Sequence, residues 1–172
     1  MTQPQLAGET VLLRPIARAV AAALLDGHHP AGMHFADGYP SRFSLEVMDL
    51  LAGPRAVEVG PDFHSWFVVR REDDAIVGEM GYGFDAETST ATVGYAIVEP
   101  SWGRGYATDG LRALVAHLRS EPRVQRVLAN TLAGHGASRR VMEKAGMRFV
   151  DERLGEEDGE LVELVVYETA AS

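Results

Sequence analysis

The amino-acid sequence predicts a single domain of mixed α+β structure, built on a mostly antiparallel sheet of about seven strands. Short apolar runs bounded by Pro, Gly or polar turn residues are typical of strands. Other stretches place apolar residues on one face of a helix. The length of 172 residues suits one domain with a sizeable core, so residues 1–172 are interpreted as one domain.

The first half of the chain contains a strand, two helices and then a group of strands. The strand covers residues 10–14 and the first helix residues 16–26. A loop rich in Gly, His and Pro, residues 28–42, separates this helix from a short second helix, for which Ser44 is the predicted N-cap. Three strands joined by polar turns follow, at residues 66–71, 75–84 and 90–99.

The second half alternates helices and strands. Apolar residues mark one face of a helix over residues 107–118, and a strand follows at residues 123–131. A second helix covers residues 138–145 and ends at Gly146, a typical C-cap. The last two strands are predicted at residues 147–153 and 161–168. The predicted order is therefore strand, two helices, three antiparallel strands, helix, strand, helix and two strands.

The composition argues against several classes of protein. A formal net charge of -9 argues against nucleic acid as a partner, because binding to phosphates depends on clustered Lys and Arg. The absence of cysteine excludes disulfides, a Cys nucleophile and thiolate metal sites. No apolar run approaches the roughly 18 residues that span a bilayer, and the N-terminus lacks the pattern of a secretion signal. We therefore expect a cytoplasmic protein without a membrane partner.

The most informative segment is a loop between a strand and a helix that contains Gly103 and Gly105. The first amides of a helix have no partner within it, and the peptide dipoles add about half a positive charge at that end. Such a terminus binds an anion without a basic side chain, which reconciles phosphate binding with the net charge of -9. The glycines allow close approach to a pyrophosphate, and Arg104 can add a contact from the rim. Asp109 would repel phosphate if it pointed inward, so we predict a structural role for it.

Two other interpretations fit a loop of this kind. A plain turn between a strand and a helix often contains glycine. A dinucleotide-binding fold has a similar spacing to Gly103-x-Gly105-x-x-Thr108, but it needs the loop after the first strand and an acidic residue about 20 positions on. Here three or four strands come first, and the next strand ends in Asn130-Thr131. The dinucleotide interpretation is therefore disfavoured.

Two motifs, residues 102–108 and 137–147, carry a family resemblance. The first reads Trp-Gly-Arg-Gly-Tyr-Ala-Thr and the second Ala-Ser-Arg-Arg-Val-Met-Glu-Lys-Ala-Gly-Met. Both resemble the GNAT acetyltransferase superfamily, and within it the RimJ/RimL-like branch of ribosomal-protein acetyltransferases. A third, weaker match covers residues 10–15, so the resemblance extends over nearly the whole chain. It implies the GNAT fold, with helices on both faces of the sheet and with the fourth and fifth strands splayed apart.

The resemblance also implies acetyl-CoA as co-substrate, with no metal. The pantetheine arm would lie between the splayed strands and pair with the backbone of Ala96, Ile97 and Val98. The pyrophosphate would be held by the loop and the first helical turn, that is by Gly103, Arg104, Gly105, Tyr106, Ala107 and Thr108. Two family positions differ in this chain. An Asn that often contacts the cofactor falls at His135, and the Tyr that protonates the leaving thiolate falls at Met142, which has no proton to donate.

The implied reaction is direct attack of a neutral amine on the thioester. Ser138 lies one turn before Met142 on the same helix face, which makes it the candidate to hydrogen-bond the sulfur. Glu79 is the candidate base, and the alternative for it is an outward-facing strand residue. Tyr39, in the loop before the second helix, is a candidate for the acceptor pocket. A weak base suits an α-amine, whose pKa of about 7.7–8.0 is far below the value near 10.4 of a lysine.

Three functions stay open on the sequence alone. They are acetylation of a protein N-terminal α-amine, acetylation of a small-molecule amine such as an antibiotic or polyamine, and non-catalytic sensing of acyl-CoA by the same fold. His135 and Met142 favour the sensor, because both depart from the family pattern. The irregular loop at residues 28–42 does not discriminate between acceptors. The resemblance also allows a homodimer, since relatives are often dimers.

Overall fold

The computed structural model describes residues 3–169 and, within them, a nine-stranded sheet flanked by helices. The strands are β1 (Leu6–Ala7), β2 (Val11–Pro15), β3 (His34–Phe35), β4 (Phe63–Arg70), β5 (Ala75–Asp85), β6 (Thr90–Ile97), β7 (Arg126–Leu132), β8 (Met147–Glu157) and β9 (Glu160–Thr169). The helices are α1 (Arg18–Leu25), α2 (Arg42–Ala52), α3 (Ala56–Val59), α4 (Tyr106–Ser120) and α5 (Gly136–Lys144). No helix within residues 3–169 has the length and apolar character needed to cross a membrane.

The sheet is mixed, with mostly antiparallel neighbours. Its order is β1-β2-β4-β5-β6-β7-β9-β8, and β3 pairs with β5 beside this path. Along the path only β6 and β7 are parallel, because α4 forms the crossover between them. The predicted mixed fold with a mostly antiparallel sheet is confirmed. The two-residue strands β1 and β3 and the short helix α3 were missed, because so few residues carry no readable periodicity.

β6 and β7 are the two strands that were expected to splay. Their pairing runs only from Thr90 opposite Arg126 to Val93 opposite Ala129. Beyond this point β6 stays paired with β5, and β7 stays paired with β9. The two strands therefore separate after Val93 and Ala129, as the resemblance implied. We call the space between their separated ends the splay gap.

Helices cover both faces of the sheet. Alternation along β4 sends Trp66 and Val68 into a core shared with α4 and α5, while Phe67 and Val69 enter a second core shared with α1 and α2. Residues 65–69 of β4 and 75–82 of β5 are therefore buried on both faces of the sheet. A polar side chain in these stretches, such as Glu79, is buried on either face, which matters for the site described below.

The start of α2 corrects the prediction that Ser44 is its N-cap. Ser41 is the N-cap, and its hydroxyl accepts a hydrogen bond from the Ser44 amide at 3.1 Å. The Ser44 hydroxyl in turn accepts from the Ser41 amide at 3.1 Å, which completes a capping box. Both serines suit the cap position, and the sequence alone does not rank them. As a result Ser44 lies inside the helix with its side chain buried.

Asp109 has the structural role that the sequence predicted. Its carboxylate accepts hydrogen bonds from the amides of Glu9, Thr10 and Val11 at 2.9, 2.7 and 3.0 Å, and from the Thr10 hydroxyl at 2.9 Å. Partial burial alone would raise the pKa of Asp109, but these bonds outweigh burial and lower it. The carboxylate thus ties α4 to the turn between β1 and β2.

We predict that Asp109→Ala lowers the free energy of unfolding by about 2 kcal/mol, since hydrogen bonds to a charged group contribute about 1.5–3 kcal/mol each and part of this group is solvated. Urea denaturation followed by circular dichroism measures the change. Asp109→Asn keeps one oxygen acceptor in a side chain of the same shape, so its free energy of unfolding is expected to fall less. An unchanged midpoint for Asp109→Ala would contradict the assigned role.

Candidate active site

The loop between β6 and α4 forms a candidate anion site. Gly103 and Gly105 have φ angles of 74° and 79°, a left-handed conformation that favours glycine. Gly105 is the N-cap of α4, and no side chain caps this helix of 15 residues. The amides of its first turn are therefore open, at the positive end of the helix dipole. This arrangement suits a bound anion such as a diphosphate.

Side chains around this loop leave its outer surface clear. A Cβ built at Gly103 or Gly105 meets no atom within 4 Å, so backbone conformation, not crowding, is what requires glycine in the free protein. Tyr106 and Thr108 turn inward and are buried, while Arg104 is exposed at the rim. The loop therefore presents backbone amides and one guanidinium to the outside.

The backbone of β6 corrects the predicted pantetheine contacts. The Val98 amide donates to the Val77 carbonyl at 2.9 Å, and the Val98 carbonyl accepts from the Ser101 amide at 2.9 Å. Both groups are engaged because a turn of 3₁₀-helix, Glu99–Ser101, begins directly after Val98. Val98 is therefore withdrawn from the cofactor-binding set.

Alternation along the strand assigns the other two backbone positions. Because the Val98 amide points at β5, the backbone groups of Ala96, which is paired with Glu79, also point at β5. The backbone of Ala96 is therefore also unable to pair with a pantetheine arm in the gap. The backbone of Ile97 points into the splay gap, where its carbonyl accepts from the indole of Trp102. Among the three predicted residues, Ile97 is the one whose amide faces the gap.

Trp102 lies at the mouth of the splay gap. Its side chain is 64% exposed although its indole nitrogen is held by the Ile97 carbonyl. The sequence matched this residue to a family motif without giving it a role in the site. In the structure it ties the glycine loop to the end of β6.

α5 borders the splay gap on the other side and carries Ser138 and His135. His135 is the N-cap of α5, and its Nδ1 accepts from the Ser138 amide at 3.1 Å. Only the opposite ring nitrogen of His135 is left for a ligand. Met142, at the family position of the thiolate acid, is 1% exposed and belongs to the core. Met142 therefore neither donates a proton nor reaches the gap.

Tyr95 is a residue of the gap that the sequence analysis missed. Its hydroxyl lies 2.9 Å from the Ser138 Oγ and 3.1 Å from the Ser138 carbonyl oxygen. A single tyrosine in a strand gives no pattern that separates this role from ordinary packing. Only the fold brings Tyr95 and Ser138 together.

Glu79 is buried on the face that carries α1 and α2, so the outward-facing alternative is wrong. Its side chain is 1% exposed, and its Oε1 accepts from the Ser44 hydroxyl at 3.1 Å. Its Oε2 is buried without a hydrogen-bond partner among residues 3–169. Burial raises the pKa of Glu79 to about 7, against smaller lowering effects of Tyr39 and Ser44. A carboxyl of this pKa can take up and release a proton near neutral pH.

Tyr39, the predicted residue of the acceptor pocket, is buried in the second core beside Glu79. Its hydroxyl is buried and, within the described part of the chain, has no hydrogen-bond partner. The pKa of Tyr39 is raised, first by burial and then by the charge of Glu79, so the two groups are close.

Comparisons with known proteins agree with this architecture. A family model described as an acetyltransferase (GNAT) domain matches residues 10–148. RimL, a ribosomal L7/L12 alpha-N-protein acetyltransferase solved with coenzyme A, is similar with a TM-score of 0.70 and 16% identity over 95% of each chain. An acetyl transferase from Salmonella typhimurium that modifies the N-terminal serine of ribosomal protein L7/L12 has a TM-score of 0.69 and 17% identity, over 95% of this chain and 96% of that chain.

A third similar structure is the microcin C7 self-immunity acetyltransferase MccE in complex with acetyl-CoA and AMP. Its TM-score is 0.67 at 14% identity, over 94% of this chain and 92% of that chain. The comparison with curated proteins gave no match. At these identities the solved structures establish a common fold, whereas the family model covers most of the chain. The chain therefore belongs to the GNAT acetyltransferase family.

Proposed function

We propose that this protein transfers the acetyl group of acetyl-CoA to an amine of low pKa, with a protein N-terminal α-amine as the preferred acceptor. The observation that carries the proposal is the splay gap, which opens onto an uncapped helix N-terminus and has Glu79 one strand away. Neighbouring strands lie about 4.8 Å apart, so Glu79 on β5 is close to the edge of the gap. These parts bring an anion site, the splay gap and a buried carboxyl close to one another.

The residues present fit coenzyme A. The open amides of the α4 N-terminus, with Arg104 at the rim, match the two negative charges of a diphosphate. The Ile97 amide faces the splay gap and is suited to donate to a carbonyl oxygen there. Bound acetyl-CoA supplies an acetyl thioester, and the chain supplies the groups that orient it.

Glu79 is proposed to take the proton that the attacking amine loses. A base works best when its pKa is near the working pH, and the pKa of about 7 meets this condition. The amine nitrogen forms the new bond to the acetyl carbon, the carbon–sulfur bond breaks, and the sulfur leaves as a thiolate. With a thiol pKa near 8.5, taking free Cys as the guide, the thiolate then takes a proton from solvent. Glu79 returns its proton to solvent, so the reaction is balanced.

The α-amine is favoured over lysine by its acidity. Deprotonating a lysine at neutral pH costs roughly 3.5 kcal/mol more than deprotonating an α-amine, from the difference in their pKa values. A base with a pKa of about 7 is poorly matched to the larger cost. The acceptor that RimL is described with, an α-amine of a ribosomal protein, supports the same choice.

A small-molecule amine is the second candidate acceptor. MccE, described as a self-immunity enzyme against microcin, has the same fold at similar coverage. Glu46, Glu157 and Asp158 line a shallow cavity between α2 and the end of the β8–β9 hairpin, together with Arg42, which pairs with Glu46 and Asp158. Three acidic side chains against one arginine leave this rim negative, which favours a cationic acceptor of either kind.

The test is an acceptor screen with acetyl-CoA and mass detection of products. Peptides that have a free α-amine and no lysine are compared with N-terminally blocked peptides that contain lysine, and with polyamines. We predict that the α-amine peptides react at least about 100-fold faster at neutral pH, from the pKa difference. Equal or faster reaction of lysine peptides would contradict this acceptor class. Tight binding of coenzyme A without turnover of any amine would support the sensor instead.

A further inference from the structure

We propose that Tyr95 is a positioning residue that holds the Ser138 hydroxyl so that its proton is directed at the departing sulfur. This inference rests on the proposed function, because it concerns the thiolate that acetyl transfer releases. It assigns a hydrogen bond to the sulfur, which Met142 cannot donate, to a pair of hydroxyl groups from opposite sides of the splay gap, while the proton that the thiolate finally takes up comes from solvent. One belongs to β6 and the other to α5.

The geometry places this pair where the two strands part. Tyr95 lies two residues beyond Val93, the last residue of β6 that is paired with β7. From there its hydroxyl reaches α5 and lies 2.9 Å from the Ser138 Oγ. Both side chains are half-buried, so the pair is shielded but open to a ligand in the gap. Burial raises the pKa of Tyr95, which keeps the phenol protonated at neutral pH.

The number of hydroxyl protons determines whether Tyr95 and Ser138 can donate a hydrogen bond to a ligand. Two hydroxyls carry two protons, and the contact between them uses one. The Ser138 carbonyl oxygen can only accept, so the Tyr95 hydroxyl donates in that 3.1 Å contact, and the same phenol proton is shared with the Ser138 Oγ at 2.9 Å as a bifurcated hydrogen bond. The proton of Ser138 is then free for a further acceptor. A hydroxyl that accepts a strong hydrogen bond is also a better donor, because linked hydrogen bonds polarise each other.

Without Tyr95, the Ser138 hydroxyl is free to turn away from the splay gap. A serine in a helix readily turns its hydroxyl back to the backbone carbonyl one turn earlier, which for Ser138 belongs to Gly134 or His135. Tyr95 opposes this by occupying the oxygen of Ser138 from the side of the gap. The phenol thus acts through Ser138, without contact between Tyr95 and the sulfur.

The first test compares Tyr95→Phe, Ser138→Ala and the double variant. We expect each single variant to lower kcat by about 10-fold or more, the low end for a lost hydrogen bond in a transition state, with KM for acetyl-CoA within about twofold. The double variant is expected to be no slower than Ser138→Ala, because the two groups act as one unit. Losses that multiply in the double variant would overturn the proposal.

Tyr167→Phe is the matched control for a loosened helix. The Tyr167 hydroxyl also holds α5, since it accepts from Arg139 Nε at 3.1 Å and donates to Glu143 Oε1 at 2.9 Å, but it does not touch Ser138. We expect this control to keep the kcat of the unmodified protein. A loss equal to that of Tyr95→Phe would overturn the proposal, because it would show a general effect of α5 position.

A second readout needs no amine acceptor. The thiol of bound coenzyme A is titrated by the ultraviolet absorbance of the thiolate, in the unmodified protein and in Tyr95→Phe. We expect the thiol pKa to rise by about one unit in the variant, because a donor to the charged form is weakened. This shift in a protein that acetylates no amine would sink the proposed function and leave the inference standing. An unchanged thiol pKa would overturn the inference whatever the activity.

Discussion

Gly105→Glu is expected to abolish binding of coenzyme A. The carboxylate would stand at the open N-terminus of α4, where the diphosphate is proposed to lie. Two like charges about 4 Å apart repel by about 4 kcal/mol near a protein surface, which corresponds to roughly a 1,000-fold loss of affinity. The added side chain also fills the space that the backbone leaves open. Isothermal titration calorimetry with coenzyme A measures the effect.

Gly105→Ala is the necessary control, because Gly105 has a φ of 79° and any side chain is strained there. The left-handed conformation costs a residue other than glycine roughly 1–2 kcal/mol. We expect Gly105→Ala to lose some stability and less than about tenfold in affinity, since the strain alone is about 1–2 kcal/mol and the amides stay open. If the alanine and glutamate variants bound coenzyme A equally well, the proposed diphosphate site would be wrong.

Glu79→Gln is expected to lower kcat/KM for an α-amine by about 10²–10⁴-fold, the range for loss of a general base. The pH profile gives the sharper test. In the unmodified protein, kcat/KM should rise with pH through about 7 as Glu79 ionises, and this rise should be missing from the variant. Steady-state rates over a pH series measure both.

The same substitution is expected to stabilise the fold above neutral pH. Burial raises the pKa of Glu79 from 4.5 to about 7, so the folded state binds its proton more tightly than the unfolded state. The contribution of Glu79 to stability is therefore largest below pH 4.5 and is lost as the pH rises through about 7. The loss is roughly 3 kcal/mol at 1.36 kcal/mol per pKa unit, and the glutamine variant avoids it. Thermal unfolding at pH 8 and pH 5 should show a gain at the higher pH alone.

Ser44→Ala extends this test without removing the carboxyl. The Ser44 hydroxyl donates to Glu79 and lowers its pKa, so its loss should move the rising limb of the rate profile to higher pH. Two results together would remove Glu79 from the mechanism. They are an unchanged pH for the rising limb in Ser44→Ala, and an unchanged activity in Glu79→Gln.

The sequence predicted the main strands, the longer helices and the anion loop because their signals are local. Apolar periodicity marks α4, and the glycines mark the positive φ angles at the start of that helix. The N-cap of α2 was misplaced because two serines three residues apart both suit it. Because Ser41 is the N-cap, Ser44 lies in the first turn of α2, where its hydroxyl donates to Glu79.

The errors in the site come from information that is not local. The backbone direction of Ala96 and Val98 depends on register with β5, which no single strand encodes. The burial of Glu79 depends on helices that cover both faces of the sheet. The contact of Tyr95 with Ser138 joins residues 43 positions apart. Each of these features required the assembled sheet.

The most direct measurement is a crystal structure of the complex with coenzyme A. Our account predicts diphosphate oxygens within hydrogen-bonding distance, about 2.7–3.2 Å, of main-chain amides between Gly103 and Thr108. A diphosphate bound by side chains elsewhere on the surface, with those amides facing solvent, would contradict it.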